Sequence, residues 1–85
     1  MESKHIGFTI KALRINRGLS LSELARKSGI TKGNLHKIEA GANLTTDTLI
    51  KVSAALNETP SQVMLDASIR ALKFLAENIP DHHNP

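Results

Sequence analysis

The chain has 85 residues, 40% of them hydrophobic, with no cysteine and two phenylalanines as its only aromatic residues among Phe, Trp and Tyr. That length holds one domain, and the composition excludes disulfides, cysteine-ligated zinc and aromatic platforms for stacking single-stranded bases. The net charge of +3 is uneven, with nine Lys/Arg against four Asp/Glu in residues 1–56 and two against four in residues 57–85, the polarity of a domain that turns one basic end towards phosphate.

The first predicted helix covers about residues 6–16, with Phe8, Ile10 and Leu13 as inward candidates, and ends before Gly18. Ser20 and Glu23 then have the spacing of a capping box, in which the serine hydroxyl accepts from the third backbone N–H and the glutamate reaches back. Leu21, Leu24, Ala25 and Ser28 recur at three- and four-residue spacing, giving a one-sided helix about two turns long. Gly29 can end it in the left-handed conformation, and Thr31 can cap the next one. In that third helix Leu35 and Ile38 point one way. At about 100° per residue Gly33 and Lys37 lie roughly opposite, with Asn34 and His36 on the flanks. Two short helices hinged by glycine, the second turning cations outward, form the layout of a helix-turn-helix over about residues 20–40.

Gly41, Ala42 and Asn43 form a turn. Thr45 or Thr46 caps a fourth helix, Asp47 sits favourably in its first turn, and Leu49, Val52, Ser53 and Leu56 make its buried stripe before Asn57 closes it. Thr59 and Gln62 around Pro60 are a strong helix start, and the pattern runs over residues 60–79. Within it Leu65, Ile69, Leu72, Ala76 and Ile79 are spaced four, three, four, three, as two heptads of an a/d seam. Phe74 lies on the other side, so this helix has more apolar surface than one seam needs. It can fold back to complete the core, or hold a second copy; the seam favours a homodimer contact. No strand alternation or repeat occurs, and residues 80–85 form a polar, proline-bounded tail expected to be flexible.

At these residues the chain resembles the phage-repressor (Cro/repressor, XRE-type) helix-turn-helix family. Its motif asks for a small residue, a glycine and an aliphatic at the fifth, ninth and fifteenth positions, which counted from Leu21 are Ala25, Gly29 and Leu35. Ile10 to Arg14, then Arg17 and Leu19, resemble the first helix and its exit; residues 48–56 resemble the fourth. The resemblance implies an all-α, five-helix DNA-binding domain over residues 1–66, with residues 60–79 as an extended C-terminal helix. The implied function is sequence-specific regulation of transcription, most simply repression by a homodimer covering a palindromic operator, with RNA polymerase as a further partner if the protein activates. Phage switch proteins, plasmid regulators and bacterial restriction–modification controllers share this build.

In that frame Lys32, Gly33, Asn34 and Lys37 occupy base-reading positions: lysine donates to guanine O6/N7 and asparagine pairs with adenine N6/N7. Gly33 either lets a backbone approach the DNA or is a tolerated residue of the first turn. Ser20, Ser22, Thr31, His36 and Asn43 are candidates for phosphate contact, the threonine and Ser20 through helix N-termini; Arg26 and Lys27 are solvated charges or distant phosphate partners. Arg14 and Glu39 fall where relatives hold an ion pair bracing the third helix. Leu21 replaces the glutamine common at the first motif position, so it packs between helices or meets a thymine methyl.

No nucleophile–base motif, phosphate-cradling glycine loop or His-Glu-x-x-His occurs, and His82-His83 alone do not make a metal site. No enzyme activity, cofactor or small-molecule ligand is therefore expected. No apolar run approaches the ~20 residues of a membrane span and residues 1–4 do not open a secretory signal, so a cytoplasmic, nucleoid-associated location is expected. The competing class is a protein-interaction module, antitoxin-like or an assembly partner, in which the C-terminal helix holds a different chain and DNA binding is secondary.

Overall fold

The computed structural model describes residues 3–78, and these form five helices and no strand: α1 (Ser3–Asn16), α2 (Leu21–Ser28), α3 (Lys32–Glu39), α4 (Thr46–Ala55) and α5 (Pro60–Asn78). No helix among the described residues is long and apolar enough to cross a membrane. The short elements are delimited by their own side chains. Ser20 Oγ accepts from the Glu23 backbone N–H at 3.0 Å while the Glu23 carboxylate accepts from the Ser20 N–H at 2.7 Å, so both halves of the capping box are made. Thr31, Thr45 and Thr59 each accept from the N–H three residues on, at 3.0 to 3.1 Å. Gly29 ends α2 at φ 75° and Asn57 follows α4 at φ 58°, left-handed conformations that glycine adopts freely and asparagine tolerates.

Ser20→Ala removes the acceptor for the Glu23 N–H, while the backbone N–H from which the Glu23 carboxylate accepts remains. A cap of this kind is worth about 1 kcal/mol, so the variant should melt about 4–8 °C lower by calorimetry. The Ser20 N–H donating to Glu23 is the main reason the Glu23 carboxyl titrates below the ordinary carboxylate value, with the Ser20 hydroxyl adding to it. A folded-state pKa below the unfolded one stabilises the fold above the unfolded value, and that contribution disappears as pH falls through the lowered one. In Ser20→Ala the backbone N–H at position 20 remains, so only the hydroxyl's smaller share of this acid dependence should be lost.

The core is one cluster: Ile6 and Ile10 of α1, Leu24 and Ala25 of α2, Leu35 and Ile38 of α3, Val52 of α4 with Leu56 after it, and Val63 and Ala67 of α5. Helix α1 packs on both α3 and α5; α2 packs on α3 and α4, and α4 on α5. Leu13, Leu19, Leu21, Ile30, Leu44 and Leu49 close its edges.

Two expectations change here. Phe8, expected inward, is 57% exposed. It stands two residues, about 200°, from Ile6 on the helix, and the inward face is Ile6, Thr9 and Ile10 with Gly7 beside them. Thr9 is fully buried because its hydroxyl donates to the His5 carbonyl at 2.8 Å, which removes the cost of burying it. Second, α1 begins at Ser3 rather than Ile6. Its added turn is held by the far end of α5: the His5 ring meets Phe74 edge-on at 5.7 Å, and Lys4 Nζ lies 5.0 Å from the Phe74 ring centroid.

Helix α5 uses both of its apolar faces differently. Val63 and Ala67 are fully buried against the domain, whereas Leu65, Ile69 and Leu72 are 54%, 44% and 67% exposed, and Ala76 is exposed with them. At about 100° per residue the second group lies roughly opposite the first. Ile79 and the tail from 80 to 85 lie outside the described residues.

Candidate functional site

Helix α3 is positioned from behind. Leu35 and Ile38 are buried in the core, and Gly7 of α1 stands so close that a Cβ built on it would lie 2.1 Å from the Ile38 carbonyl oxygen. The C-terminal end of the helix is clamped by an ion pair to α1. Arg14 Nε donates to Glu39 Oε2 at 2.8 Å and Nη2 donates to Oε1 at 3.0 Å, while Nη1 donates to the Leu19 carbonyl at 2.9 Å. Only 13% of the arginine side chain and 5% of the glutamate side chain are exposed. Such a two-pronged guanidinium–carboxylate contact fixes orientation as well as distance. It ties together α1, the turn into α2 and the end of α3.

The opposite face is open. Lys32, Gly33, Asn34, His36 and Lys37 are all exposed, and neither lysine makes an ion pair among the described residues. Lys32 is only about 60° round the helix from Leu35; it reaches solvent because it opens the helix. Nothing lies within 4 Å of a Cβ placed on Gly33, so the protein itself does not require a glycine there. Arg26 and Lys27 of α2 are exposed as well.

The polar candidates around α3 are not equivalent. Thr31 and Ser20 have their hydroxyl oxygens engaged in capping, which leaves the hydroxyl protons and the remaining free N–H groups of each first turn facing outward. Ser22 is exposed. Asn43 Oδ1 accepts from the Ser3 hydroxyl at 2.7 Å, so its amide N–H₂ is the group left to donate. His36 lines a hollow of about 140 Å³ with Lys11, Arg14, Leu21, Glu39 and Ala40. Leu21 is half-buried and packs on the core edge, the packing role rather than an outward one. Lys11 is the residue that sequence reasoning overlooked here. It lies three positions before Arg14 on α1, and that spacing placed it on the arginine's side of the helix.

Together these elements make a short helix, capped at one end by Thr31 and tied at the other by the Arg14–Glu39 pair, whose outer face carries two ammonium groups and a carboxamide. A hollow lined by Lys11 and His36 beside the Arg14–Glu39 pair, and helix N-termini, flank it. Among the described residues no group of His, Cys, Asp and Glu could hold a metal ion.

Comparison with known proteins places this geometry among regulators. The helix-turn-helix family model matches residues 10–63, more than half of the chain. The clp gene regulator ClgR from Corynebacterium glutamicum is 27% identical with a TM-score of 0.82, over 89% of this chain and 83% of its own. The restriction–modification controller protein C.AhdI from Aeromonas hydrophila is 27% identical with a TM-score of 0.69, over 72% and 94%. SinR, a master regulator for biofilm formation solved in complex with DNA, is 41% identical with a TM-score of 0.66, over 69% and 97%. No curated protein matches the chain.

Proposed function

Since the chain belongs to the XRE-type helix-turn-helix family of DNA-binding transcriptional regulators, we propose that it is a repressor that binds a palindromic operator in double-stranded DNA as a homodimer. The observation that carries this reading is the open, unpaired face of α3, held from behind by Leu35, Ile38 and the Arg14–Glu39 clamp. In the major groove Lys32, Asn34 and Lys37 read base edges, and Gly33 lets the helix start come close. Ser20, Ser22, Thr31, His36 and Asn43 meet phosphate, and Lys11 joins them through the hollow it shares with His36. SinR, solved in complex with DNA, supports DNA as the partner of this chain.

The dimer rests on α5. Leu65, Ile69, Leu72 and Ala76 form an exposed stripe on the face turned away from Val63 and Ala67, and a two-fold protein multiplies a weak half-site affinity on a palindrome. Two heptads alone are marginal, so the globule shares the contact. Sedimentation at micromolar concentration should give a dimer, and Leu72→Glu a folded monomer; a monomeric parent removes the homodimer from the reading. Repression acts by covering a promoter, inside the cytoplasm.

Selection of bound sequences from a random duplex pool tests the whole proposal, followed by gel shift of the selected operator. Affinity should fall steeply between low and moderate salt. Little binding at either salt would favour an interaction module that uses the α5 stripe for a different chain. Within the selected operator Lys37→Ala separates two kinds of contact. A base contact predicts a loss of about 1–3 kcal/mol together with relaxed preference at one position; a phosphate contact predicts a uniform loss and a salt slope smaller by about one. We expect the former.

A further inference from the structure

Helices α1 and α5 border an open groove of about 480 Å³, to whose lining, among the described residues, neither α3 nor the exposed α5 stripe contributes. Its apolar lining is Phe8, Ala12 and Ile15 of α1 with Phe74 of α5. Phe8 and Ile15 are 57% and 58% exposed, large side chains that the fold leaves uncovered. They are spaced seven residues apart on one helix face, roughly 10 Å at 1.5 Å per residue.

Every titratable side chain in this lining is cationic or can become so. Lys11 and Arg70 belong to it, with Lys4 and His5 at the Phe74 end, and no carboxylate among the described residues does. Arg70 Nε is buried without a hydrogen-bond acceptor among the described residues, and a buried donor left unanswered is costly. Arg14 shows in the same molecule what such an edge can hold, because its Nε and Nη2 together grip the Glu39 carboxylate.

A second copy of the chain is a poor occupant. The stripe on α5 lies about 180° round the helix from Val63, whereas Arg70 and Phe74 lie within about 20° of it, on the side that packs against α1. Docking through the stripe leaves the groove open. Its volume falls in the range of small-ligand sites, which are mostly apolar with a few placed polar groups.

We propose that the α1–α5 groove binds a small amphipathic carboxylate, its apolar body against Phe8, Ala12 and Ile15 and its carboxylate on the Arg70 guanidinium. Such a site needs no separate ligand-sensing domain. It lies where α5 seats on α1, so an occupant bridges the two helices and stabilises the folded chain by mass action. The proposal stands apart from the reading of α3.

Decanoate, kept below its micellar concentration, is the probe, with decylamine as a control of equal chain length and opposite charge. Titration calorimetry on the full chain should show saturable binding of one decanoate per chain and a raised melting temperature, with decylamine inactive. Arg70→Gln should weaken decanoate about tenfold or more. Phe8→Ser, which alters an exposed side chain, should weaken it as well while circular dichroism stays that of the parent. Equal binding of decanoate and decylamine overturns the proposal, and so does unchanged affinity in both variants. A parent that takes up no decanoate, yet dissociates from dimer to monomer on Phe8→Ser, also overturns it and assigns the groove to a second copy.

Discussion

Glu39→Ala should lose DNA binding by losing its fold, at a cost of about 3–5 kcal/mol. The carboxylate is buried at 6% exposure, too deep to meet a duplex, and both of its oxygens are taken by Arg14. Truncation leaves the guanidinium, itself mostly buried, with two donors that no other described group accepts. The cost is that of an uncompensated buried charge, not the net worth of the pair, which against a well-packed apolar replacement can be close to zero. An 85-residue domain of ordinary stability has only about 5–15 kcal/mol in all, so the loss removes a large share of it. Denaturant unfolding monitored by circular dichroism measures the change directly. The double replacement Arg14→Met with Glu39→Leu should recover much of it, since no charge is then stranded. Glu39→Ala that melts within a few degrees of the parent but no longer shifts operator would contradict this account and give Glu39 a contact role.

Which parts of this molecule are legible in the sequence depends on how far their causes reach along the chain. The turn between α2 and α3 is legible because each of its determinants acts within a few residues. Ser20 and Glu23 answer each other, Gly29 takes the left-handed conformation, and Thr31 caps α3. The stripe of α4 is legible for the same reason. The start of α1 is not, because its first turn carries no capping signal and is fixed by Phe74, far away in sequence. Phe8 departs from its expected place because Thr9 takes a place on the inward face, where the hydrogen bond from its hydroxyl to the His5 carbonyl removes the cost of burial. The double face of α5 is visible as a surplus of apolar residues. Which face the domain covers is decided by the small Ala67 and by Val63, residues that carry no such label in the sequence. The partnership of Arg14 and Glu39 comes from family resemblance, because no local spacing joins residues on α1 and α3. The outward side chains of α3 are legible as a face, and their roles as DNA contacts remain the proposal to be tested.

Gly7→Ala should cost about 2 kcal/mol or more, in a helix where the same change usually helps. Alanine is the better helix former by about 0.5–1 kcal/mol, so propensity alone predicts stabilisation. Against this, the new Cβ would stand 2.1 Å from the Ile38 carbonyl oxygen, 3.2 Å from the Ile38 carbonyl carbon and 3.4 Å from the Glu39 carbonyl carbon. All three are backbone atoms, so no side chain can rotate away. Helices α1 and α3 must part by ~1 Å before the contact reaches normal packing distance. That movement opens the core at Ile6, Ile10, Leu35 and Ile38, and it pulls on the Arg14–Glu39 clamp between the same two helices. The Ile38 carbonyl also accepts from the Gly41 N–H at 3.0 Å, so the turn leaving α3 shifts with it. Over-packing a rigid contact costs about 1–3 kcal/mol and sometimes more, which outweighs the propensity gain and should lower the melting temperature by roughly 8–16 °C. Gly33→Ala is the internal control: it makes the same chemical change in α3, where nothing lies within 4 Å. It should raise stability by about 0.5–1 kcal/mol while weakening operator binding if the backbone there approaches DNA. Equal effects of the two substitutions on melting would mean that α1 does not seat against the back of α3 at this glycine, and the support that holds the outer face in place would have to come from elsewhere.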